Sequence, residues 1–489
     1  MARSKVRNCT WYFAVLMTMY VTTIFVIQLQ SGMMRRHEET SDPDLQLSAS
    51  HGAARETSTK YLRVSDWITY KAQPTGNRTV YDMQQAKLSV LSSAENRASR
   101  FVSAYNFTNY NFRSVNFTTV GEIYVYAANV DTRQGNATVV RLLALQHIRL
   151  IDGLMCKFFN DKKLIVFAEK YQMCENHGKQ YGGWIYSCSL PANVNVIPKH
   201  VHLSTISEAF WDDMDYPQLE LPPLQHSYSE KNENSIGVCV PPLFGNIPLQ
   251  TLVNYIELMK ILGVSKVFFY KYNISKSTEN LLKYYSMRGN VNVYNWELPT
   301  NVTDNAIWYN GQLLTIQHCL YNNMEKFQFL MFVDLDEVLI PKRTRNLLSM
   351  LHSVVQHSGL TLDKIAAFSF QSAFFDSRQL PDPSQKIPLF QHLERSKKTS
   401  KVRTKLIVQT NKIFELGIHH LSRPIRDNIT VVHVDPSVAL VHHYRKCVVS
   451  FDRDMRCQPT VRDESMLRYS KLLETRSNKV MKEVLQFIY

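Results

Sequence analysis

The sequence predicts an α/β protein whose main domain is a mostly parallel, Rossmann-like sheet with helices on both faces. Three observations lead to this prediction: strand-like and helix-like patterns alternate along residues 235–333, shorter alternating runs precede them, and an uncharged apolar stretch lies near the start. We therefore expect an N-terminal transmembrane helix, then a β-rich accessory domain, then the α/β domain.

The composition sets broad limits on the class of protein. The 489 residues carry 56 Lys+Arg against 42 Asp+Glu, a formal charge of +14, and 45% are hydrophobic. That hydrophobic share excludes wholesale disorder, and the 16 glycines and 18 prolines show no collagen-like period. The positive charge is scattered and no nucleic-acid-binding motif occurs, so we expect no nucleic-acid partner. A basic surface instead suits anionic lipid or an anionic nucleotide substrate.

Residues 11–29 (WYFAVLMTMYVTTIFVIQL) contain no charged side chain. At about 1.5 Å per residue, a helix of this length roughly spans the ~30 Å hydrocarbon core of a bilayer. Arg3, Lys5 and Arg7 precede it, which predicts a cytoplasmic tail over residues 1–10 and translocation of the rest. A cleaved signal peptide is the alternative. The length of the apolar run and the lack of a small-residue cleavage site favour an uncleaved type II anchor.

The chain beyond this stretch has features of a secretory compartment. Residues 30–60 are polar, with no apolar period, and predict a flexible stem. Seven acceptor sequences for N-glycosylation follow the stretch, at Asn77, Asn106, Asn116, Asn136, Asn273, Asn301 and Asn428.

Seven of the eight cysteines lie beyond the apolar stretch, where an oxidising lumen would favour disulfides. Cys319 lies within a helical pattern and is expected to be a buried thiol. Metal binding by cysteines is not expected, because no CxxC pair occurs. Two local groups are expected to form disulfides: Cys156/Cys174/Cys188 and Cys447/Cys457.

Residues 61–234 contain short alternating runs separated by turn residues. Such runs predict a β-rich accessory domain, expected to be a sandwich, that either binds acceptor glycan or braces the next domain. The predicted strands lie near 120–127 (VGEIYVYA), 138–145 (TVVRLLAL), 164–169 (LIVFAE) and 184–190 (WIYSCSL).

Residues 235–489 form the predicted α/β domain. Four successive strand–helix steps imply a parallel sheet, and ligands of such sheets bind at the carboxyl ends of the strands. Segments 240–246, 272–274, 296–299 and 334–337 are therefore the expected site. The predicted strands are 235–241, 266–272, 290–296 and 327–333, and the predicted helices are 249–262, 278–287 and 310–324.

The fourth strand is followed by three carboxylates, Asp334, Asp336 and Glu337, within FLMFVDLDEVLIP. Alternate residues of an extended chain point the same way, so Asp334 and Asp336 are expected to bind one divalent cation. Oxygen ligands suit Mg²⁺ or Mn²⁺, and such an ion would hold a nucleotide diphosphate. The alternative is a solvated acidic turn. The position at the end of the fourth strand favours the metal site.

Several motifs, in order, resemble glycosyltransferase family 92. They are CVPPLFGN, KVFFYKYN, WELP and FVDLDEVLIP between residues 237 and 341, then KLIVQTNKIFELGIHH and LVHHYRKC. The resemblance covers about residues 235–470. It implies a GT-A fold, a type II Golgi membrane enzyme, UDP-galactose as donor, Mn²⁺, and inversion at the anomeric carbon. His318 departs from the family pattern, which often has an acidic residue at this position.

A third metal ligand is expected from the C-terminal histidines. His443, in an HYR triplet similar to the family's, is the preferred ligand because imidazole suits Mn²⁺. His419, His420 and His442 are alternatives, and a merely structural histidine is the competing interpretation for each.

Other residues are expected to contact the donor. Arg445 would pair with diphosphate oxygens, and Gln312 would contact ribose or phosphate unless it merely caps its helix. The expected donor-binding residues are Val240, Pro241, Tyr272, Trp296, Gln312, Asp334 and Arg445. Trp308, Tyr309, Phe374 and Phe375 are candidates for stacking on sugar rings, with core packing as the alternative for each.

Inversion in one displacement needs a general base for the acceptor hydroxyl. Asp376, after the apolar run AFSFQSAFF, is the leading candidate, and Glu337 is a second catalytic candidate. Asp435 and Glu415 are rivals. The basic segment 395–405 (RSKKTSKVRTK) is expected to be a mobile lid or a solvated loop.

The sequence thus predicts a Golgi type II enzyme that moves galactose from UDP-galactose to a galactose- or fucose-terminated glycan of a glycoprotein or glycolipid. A β1,4 linkage is expected, Golgi membrane lipid is a further partner, and oligomerisation is open. Two alternatives are another UDP-sugar, such as UDP-GlcNAc, on the same scaffold, and a lumenal glycan-binding protein without turnover.

Overall fold

The computed structural model describes residues 112–115, 118–120, 122–135, 137–149, 153–159, 164–192, 194, 198–206, 219–221, 232–447 and 457–488. Every described residue lies within the unit Arg63–Tyr489. The predicted tail, anchor and stem (1–10, 11–29 and 30–60) lie outside the described residues. Within the described part, no helix combines the length and the apolar character needed to cross a bilayer.

The first part of the described chain is made of short strands. They are β1 (Arg113–Val115), β2 (Thr118–Val120), β3 (Ile123–Gln134), β4 (Ala137–His147), β5 (Leu154–Phe159), β6 (Leu164–Gln172), β7 (Tyr181–Ser189), β8 (His200–Thr205) and β9 (Leu219–Glu220). Strands β2 to β9 form one antiparallel sheet in the order β2-β3-β4-β7-β6-β5-β8-β9.

This N-terminal sheet is not the predicted sandwich. Side chains of β3, β4, β5, β7 and β8 share one buried cluster, so a single sheet curls around its own core. Cys156 and Cys188 form a disulfide between β5 and β7, which confirms the local pairing expected there.

The second part contains the α/β domain. Its strands are β10 (Asn232–Gly245), β11 (Lys266–Ile274), β12 (Val291–Trp296), β13 (Phe327–Phe332), β14 (Glu337–Pro341), β15 (Ile365–Asp376), β16 (Glu394–Ser396), β17 (Ser400–Gln409), β18 (Ile413–Leu416), β19 (Leu421–Pro424), β20 (Thr430–Val434), β21 (Ala439–Arg445) and β22 (Thr460–Arg462). Its helices are α1 (Leu249–Ile261), α2 (Lys276–Met287), α3 (Gln312–Asn323), α4 (Leu347–Ser358) and α5 (Ser470–Ile488).

The central sheet is mixed. Strands β12, β11, β10 and β13 lie side by side and are parallel, so the four predicted strand–helix steps and the α/β class are confirmed. Of the described strand pairs in this sheet, six are parallel and five are antiparallel, so the larger part of the sheet is parallel as predicted. The antiparallel pairs of β17 with β13 and β15 were not predicted. After β14 the chain enters the sheet in both directions, because β15 pairs antiparallel with β16 and β17 but parallel with β20 and β21. The strand–helix alternation of residues 235–333 does not predict these pairings.

Helices cover both faces of this sheet, as predicted. Val238 and Val240 pack in a cluster with α1 and α2, whereas Cys239 between them packs in a second cluster with α3. The second cluster also contains Tyr126 and Leu143 from the N-terminal sheet. The N-terminal sheet therefore packs against the α3 side of the α/β domain.

Two further disulfides stabilise the α/β domain. Cys447–Cys457 confirms the second predicted local pair. Cys239 and Cys319 form a disulfide between β10 and α3, so the expectation of a free thiol at Cys319 is wrong. The two cysteines are 80 residues apart and meet only because α3 packs on β10.

A buried ionic group joins the N-terminal sheet to the α/β domain. The Asp131 carboxylate lies 2.8 Å from the guanidinium of Arg133 and 3.1 Å from that of Arg141. Arg133 also donates to the backbone oxygens of Thr410 (2.9 Å) and Ile413 (2.7 Å). Charges are buried at a tolerable cost only with such partners. These contacts fix the N-terminal sheet to the α/β domain, as the predicted role of bracing that domain requires.

Glu415 in β18 makes a second connection between the two parts. Its carboxylate is fully buried and accepts from the Tyr171 hydroxyl (2.6 Å) and the Cys174 backbone N–H (2.8 Å). Burial raises the pKa of Glu415 from its ordinary 4.5 to about 7. The folded protein therefore holds a proton at Glu415 that the unfolded chain releases at lower pH.

Glu415→Gln is expected to flatten the pH dependence of stability. Because the pKa of Glu415 is higher in the folded protein than in the unfolded chain, its contribution to stability is fully present below about pH 4.5 and is lost by about pH 7. Over this range the free energy of unfolding should fall by about 3 kcal/mol. Urea unfolding at about pH 5 and about pH 7.5 measures this slope. Glu464→Gln removes an exposed carboxylate and is the control, because it should leave the pH dependence of stability unchanged. An unchanged slope in Glu415→Gln would contradict the assignment.

Candidate active site

The three predicted carboxylates lie in a turn between two strands. Strand β13 ends at Phe332 and β14 begins at Glu337. The Glu337 backbone N–H donates to the Asp334 carbonyl (3.1 Å), and the Asp334 N–H donates to the Glu337 carboxylate (2.9 Å). The expectation that Asp334 and Asp336 project together from an extended chain is therefore wrong, because the backbone turns between them.

Lys405 occupies the space between two of these carboxylates. Its ammonium lies 2.8 Å from Asp334 Oδ2 and 2.9 Å from Glu337 Oε2, and only 3% of the residue is exposed. Burial alone would lower the pKa of Lys405, but Asp334 and Glu337 outweigh it and raise the pKa above the ordinary value. Gln312, at the start of α3, donates to the other Asp334 oxygen at 3.3 Å.

The basic segment that contains Lys405 is not a lid. Arg395 lies in β16 and binds Asp463 at 2.7 Å, and residues from Ser400 onward belong to β17 in the central sheet. Sequence reasoning missed Lys405 because it reads as one more cation in a basic run. The apolar residues LIV directly after it were the available signal for a buried strand.

Asp336 faces His443. Strands β14 and β21 pair so that Glu337 lies opposite His443, and His443 Nε2 is 3.4 Å from Asp336 Oδ2. The Asp336 side chain is 39% exposed, the most open of the three carboxylates, and that of His443 is 13% exposed. Burial opposes charge on His443, but the nearby Asp336 and Glu337 outweigh it and raise the pKa of His443.

The donor atoms of Asp336 and His443 suit a divalent cation. Two ligand atoms, each about 2.1 Å from one ion, lie about 3.0–3.5 Å apart, and a carboxylate with an imidazole suits Mn²⁺. Asp334 is turned toward Lys405 instead, so the predicted set of Asp334, Asp336 and His443 is not assembled. In the described part of the chain, no group of three or more His, Cys, Asp or Glu side chains is arranged to hold a metal.

The other histidines lie elsewhere. His419 borders Lys405, and burial together with Lys405 lowers the pKa of His419 to about 3. His442 is fully buried and stacks on Phe375. The exposed His420 lies 3.8 Å from Glu175. Of the four candidates, only His443 faces Asp336.

The predicted donor-binding residues are only partly brought together. Gln312 contacts Asp334, and Arg445 lies two residues after His443 in β21. Val240 is buried in β10, with Pro241 next to it at half burial. The Tyr272 hydroxyl donates to Asp304 at 2.6 Å.

Trp296 is part of the core rather than of an open surface. It is fully buried, its ring stacks on Tyr126 at 4.7 Å, and its indole N–H donates to the Asn310 carbonyl at 2.9 Å. A direct contact of this ring with a donor is therefore excluded in the described conformation. Phe374 and Phe375 are also buried.

Tyr309 is an exposed aromatic residue at the same edge. Tyr309, Asn310 and Gly311 have consecutive left-handed φ values of 43°, 54° and 79°, and the Trp296 indole holds this turn. Such backbone is costly for residues other than glycine and is typical of functional sites. Tyr309 as a whole residue is 44% exposed, and its ring packs edge-on against Phe244. Burial of its hydroxyl, together with the charges of Asp334 and Asp336, raises the pKa of Tyr309.

The candidate general bases are held by partners other than the carboxylates of residues 334–337, and Asp376 lies opposite Arg445 at the end of β21. Asp376 accepts from the Arg378 guanidinium at 3.0 and 2.8 Å and from the Cys447 N–H at 3.3 Å. These bonds lower the pKa of Asp376 against the opposing effect of burial. Asp435 precedes β21, at the opposite end from His443, and Glu415 faces the N-terminal sheet. The general base stays unassigned.

Asp376→Asn is expected to change the rate of transfer by less than tenfold. It should lower the free energy of unfolding by about 1–3 kcal/mol, because the Asp376 carboxylate at the end of β15 accepts hydrogen bonds from Arg378 and Cys447. Transfer assays and urea unfolding measure the two effects. A loss of about a hundredfold or more in kcat, with stability unchanged, would instead support Asp376 as the base.

Comparisons with known proteins agree with the motifs. The model of glycosyltransferase family 92 matches residues 234–485. A beta-1,4-galactosyltransferase, galt-1 of Caenorhabditis elegans, is 27% identical over 355 residues, covering 71% of this chain and 77% of that protein.

Solved structures give weak similarity. A mycobacterial protein has a TM-score of 0.25 at 10% identity, covering 53% of this chain and 76% of its own. Glucosyl-3-phosphoglycerate synthase from Mycobacterium tuberculosis, in complex with Mn²⁺, UDP and phosphoglyceric acid, has a TM-score of 0.21 at 12% identity. The match covers 41% of this chain and 68% of that protein's chain. TM-scores this low do not establish a shared fold.

Proposed function

Because this chain belongs to glycosyltransferase family 92, we propose that it transfers galactose from UDP-galactose to a glycan hydroxyl, with inversion, at the turn formed by residues 334–337. The galactosyltransferase name of the C. elegans relative supports the choice of sugar. The observation that carries the proposal is the open Asp336 carboxylate beside His443, at the carboxyl end of a parallel strand. A GT-A arrangement of the α/β domain belongs to the same proposal.

Asp336 and His443 are the residues that would hold Mn²⁺ or Mg²⁺. The ion, when bound, would neutralise charge on the leaving diphosphate. Asp334 and Glu337 serve a different purpose, since Lys405 and Gln312 engage their oxygens. We propose that they shape the turn that presents Asp336.

The remaining residues would orient the donor and acceptor. Arg445 follows His443 on β21, where its guanidinium suits diphosphate oxygens. The acceptor hydroxyl oxygen attacks the anomeric carbon, the bond to the UDP oxygen breaks, and a general base takes the hydroxyl proton. The exposed Tyr309 ring offers a flat face for a sugar or base ring.

Tyr309→Ala is expected to raise the KM for UDP-galactose about tenfold, because a stacking contact contributes about 1–2 kcal/mol. Tyr309→Phe keeps the ring, so its KM for UDP-galactose should stay within about threefold of the wild-type value. Steady-state transfer assays at varied donor concentration measure both. An unchanged KM in Tyr309→Ala would contradict a stacking role.

The protein is proposed to be a type II Golgi enzyme anchored by residues 11–29, with the catalytic domain in the lumen. The apolar stretch, the disulfides and the three described acceptor asparagines support this: Asn273, Asn301 and Asn428 are all exposed. Mobility shifts after glycosidase treatment would show whether these sites are used.

A donor and acceptor panel tests the proposed function. Purified protein is offered UDP-galactose, UDP-GlcNAc or UDP-glucose with Mn²⁺ and an array of galactose- and fucose-terminated glycans. We expect labelled galactose to be transferred, and the linkage to be β1,4. Transfer of another sugar would replace the donor assignment, and binding of glycans without transfer from any donor would refute catalysis.

A further inference from the structure

The loop between β6 and β7, residues 173–180, extends from the N-terminal sheet to the α/β domain. Lys179 Nζ donates to the Asn305 backbone oxygen at 3.0 Å, and the Tyr181 N–H, at the start of β7, donates to the Ala306 oxygen at 2.9 Å. Both oxygens belong to the segment that connects β12 to α3 and contains the left-handed turn of the candidate site. The β6–β7 loop is therefore attached directly to a segment that borders that site.

The same loop also contacts the turn between β18 and β19. The Glu175 carboxylate accepts from the Ile418 backbone N–H at 2.5 Å. The next residue, His419, donates from Nδ1 to the backbone oxygen that precedes Lys405, at 3.1 Å. Lys405 in turn binds Asp334. The β6–β7 loop thus reaches the surroundings of the carboxylates by two routes.

His177, in the middle of this loop, stacks on Trp308. The ring centroids are 4.1 Å apart, and the ring planes make an angle of 30°. His177 has a left-handed φ of 52°, and Gly178 after it has a φ of 71°, so the chain makes a tight turn here. His177 is exposed, and Trp308 directly precedes the exposed Tyr309. The imidazole therefore covers the indole and is itself open to solvent.

The ring nitrogens of His177 are free to bind a ligand. Within the described part of the chain, neither nitrogen makes a hydrogen bond. Partial burial is the main cause that lowers the pKa of His177, opposed by the charge of Glu175 and assisted by that of Arg403. At neutral pH the imidazole is therefore uncharged, with one N–H donor and one nitrogen acceptor.

This arrangement suits a sugar ring. A pyranose has an apolar C–H face that packs on aromatic rings, and its hydroxyls both donate and accept hydrogen bonds. His177, Trp308 and Tyr309 supply aromatic surface, and the neutral imidazole supplies one donor and one acceptor. The ligand class that fits is a neutral, hydroxyl-rich sugar.

The position of His177 favours the acceptor over the donor. The residues assigned to the donor diphosphate, Asp336, His443 and Arg445, lie on or beside β14 and β21 of the α/β domain. His177 comes instead from the N-terminal sheet. In an inverting displacement the attacking hydroxyl and the leaving UDP lie on opposite sides of the anomeric carbon, so acceptor and diphosphate need separate binding groups.

We propose that His177, supported by Trp308, contacts the terminal neutral sugar of the acceptor glycan, so that the N-terminal sheet takes part in acceptor recognition. This inference rests on the proposed function. It gives the β6–β7 loop a role in substrate specificity, in addition to the bracing contacts of Asp131 and Glu415.

A competing role for His177 is structural support of the turn at Tyr309, through Trp308. Loss of the imidazole would then disturb Tyr309 and raise the KM for UDP-galactose, as expected for Tyr309→Ala. Contact with the acceptor predicts instead that the KM for the glycan rises and that the KM for UDP-galactose does not. The two KM values therefore separate the two roles.

The test measures both KM values with the purified full-length protein, Mn²⁺, UDP-galactose and a galactose-terminated oligosaccharide, or a fucose-terminated one if only that accepts galactose in the panel. The variants are His177→Asn and His177→Gly, because Asn and Gly both tolerate the left-handed φ of 52° at this position. Urea unfolding checks that each variant is folded.

His433→Asn is the matched control. It makes the same change at an exposed histidine in β20. His433 pairs with Ser369 of β15, and His443 pairs with Phe374 of the same strand, which places the two histidines about 16 Å apart along it.

We expect both His177 variants to raise the KM for the glycan about tenfold and to keep the KM for UDP-galactose within about twofold, and His433→Asn to change neither. A glycan KM that stays within about twofold, or a KM for UDP-galactose that rises as much as the glycan KM, would overturn the assignment while leaving the proposed function intact.

If the wild type transfers no galactose, the proposed function fails, and saturation-transfer NMR with the same oligosaccharide decides the binding role by itself. Loss of the glycan signal in His177→Gly would support the contact, whereas an unchanged signal, or none with the wild type, would overturn it.

Discussion

Asp336→Asn is expected to lower the rate of galactose transfer by about a thousandfold, because the amide is a poor ligand for a divalent cation and removes the open negative charge of the site. The side chain is 39% exposed and has no Lys or Arg partner among the ion pairs of the described residues, so its loss should change stability by less than about 1 kcal/mol. Transfer is measured with saturating Mn²⁺ and UDP-galactose, and folding by urea unfolding.

Asp435→Asn is the matched control for this experiment. It makes the same chemical change at an exposed carboxylate that lies before β21, at the far end from His443. It should transfer galactose at the wild-type rate. If Asp336→Asn were to retain more than about a tenth of the activity while folded, the assignment of Asp336 as a metal ligand would be refuted.

Removal of the Cys239–Cys319 disulfide, by alanine at both positions, is expected to lower the free energy of unfolding by about 4 kcal/mol. The bond closes a loop of 80 residues, and the entropy that a crosslink removes from the unfolded chain grows with the loop. Transfer should fall as well, because α3, which the bond connects to β10, carries Gln312 to Asp334.

The Cys447–Cys457 disulfide offers a control with a short loop. Its cysteines are 10 residues apart, so the same loop-entropy argument predicts that its removal lowers the free energy of unfolding by about 2 kcal/mol less. Urea unfolding of both double-alanine variants compares the two losses. Equal losses would contradict the loop-length explanation, and thiol labelling of Cys239 and Cys319 in the non-reduced protein would contradict the disulfide itself.

Local patterns were enough to predict the parallel half of the fold. Helix α1 shows apolar residues at helical spacing, and Gly263, two residues after its last residue, has a φ of 88°, the left-handed value that a helix-ending glycine supplies. Strand β13 is apolar on both faces, as a central parallel strand must be. These features depend on neighbours within a few residues and are therefore readable in one sequence.

The C-terminal half of the sheet, where parallel and antiparallel pairs are mixed, and the inner part of the site depend on pairings between distant segments. Lys405 reaches Asp334 across 71 residues, because β17 lies beside β13 in the sheet. The partner of Glu337 in β14 is His443, which the sequence favoured only through its resemblance to a known triplet. Residue types marked Asp336 and His443 as candidates, but only the register of the strands shows that they face each other.

The most direct test of the metal assignment is a crystal of the full-length protein grown with Mn²⁺ and UDP, with diffraction recorded at the manganese absorption edge. The anomalous map should contain a strong peak within about 2.0–2.4 Å of Asp336 Oδ2 and His443 Nε2, next to the diphosphate. UDP bound at this edge of the sheet without such a peak, or a peak held by other residues, would contradict the account.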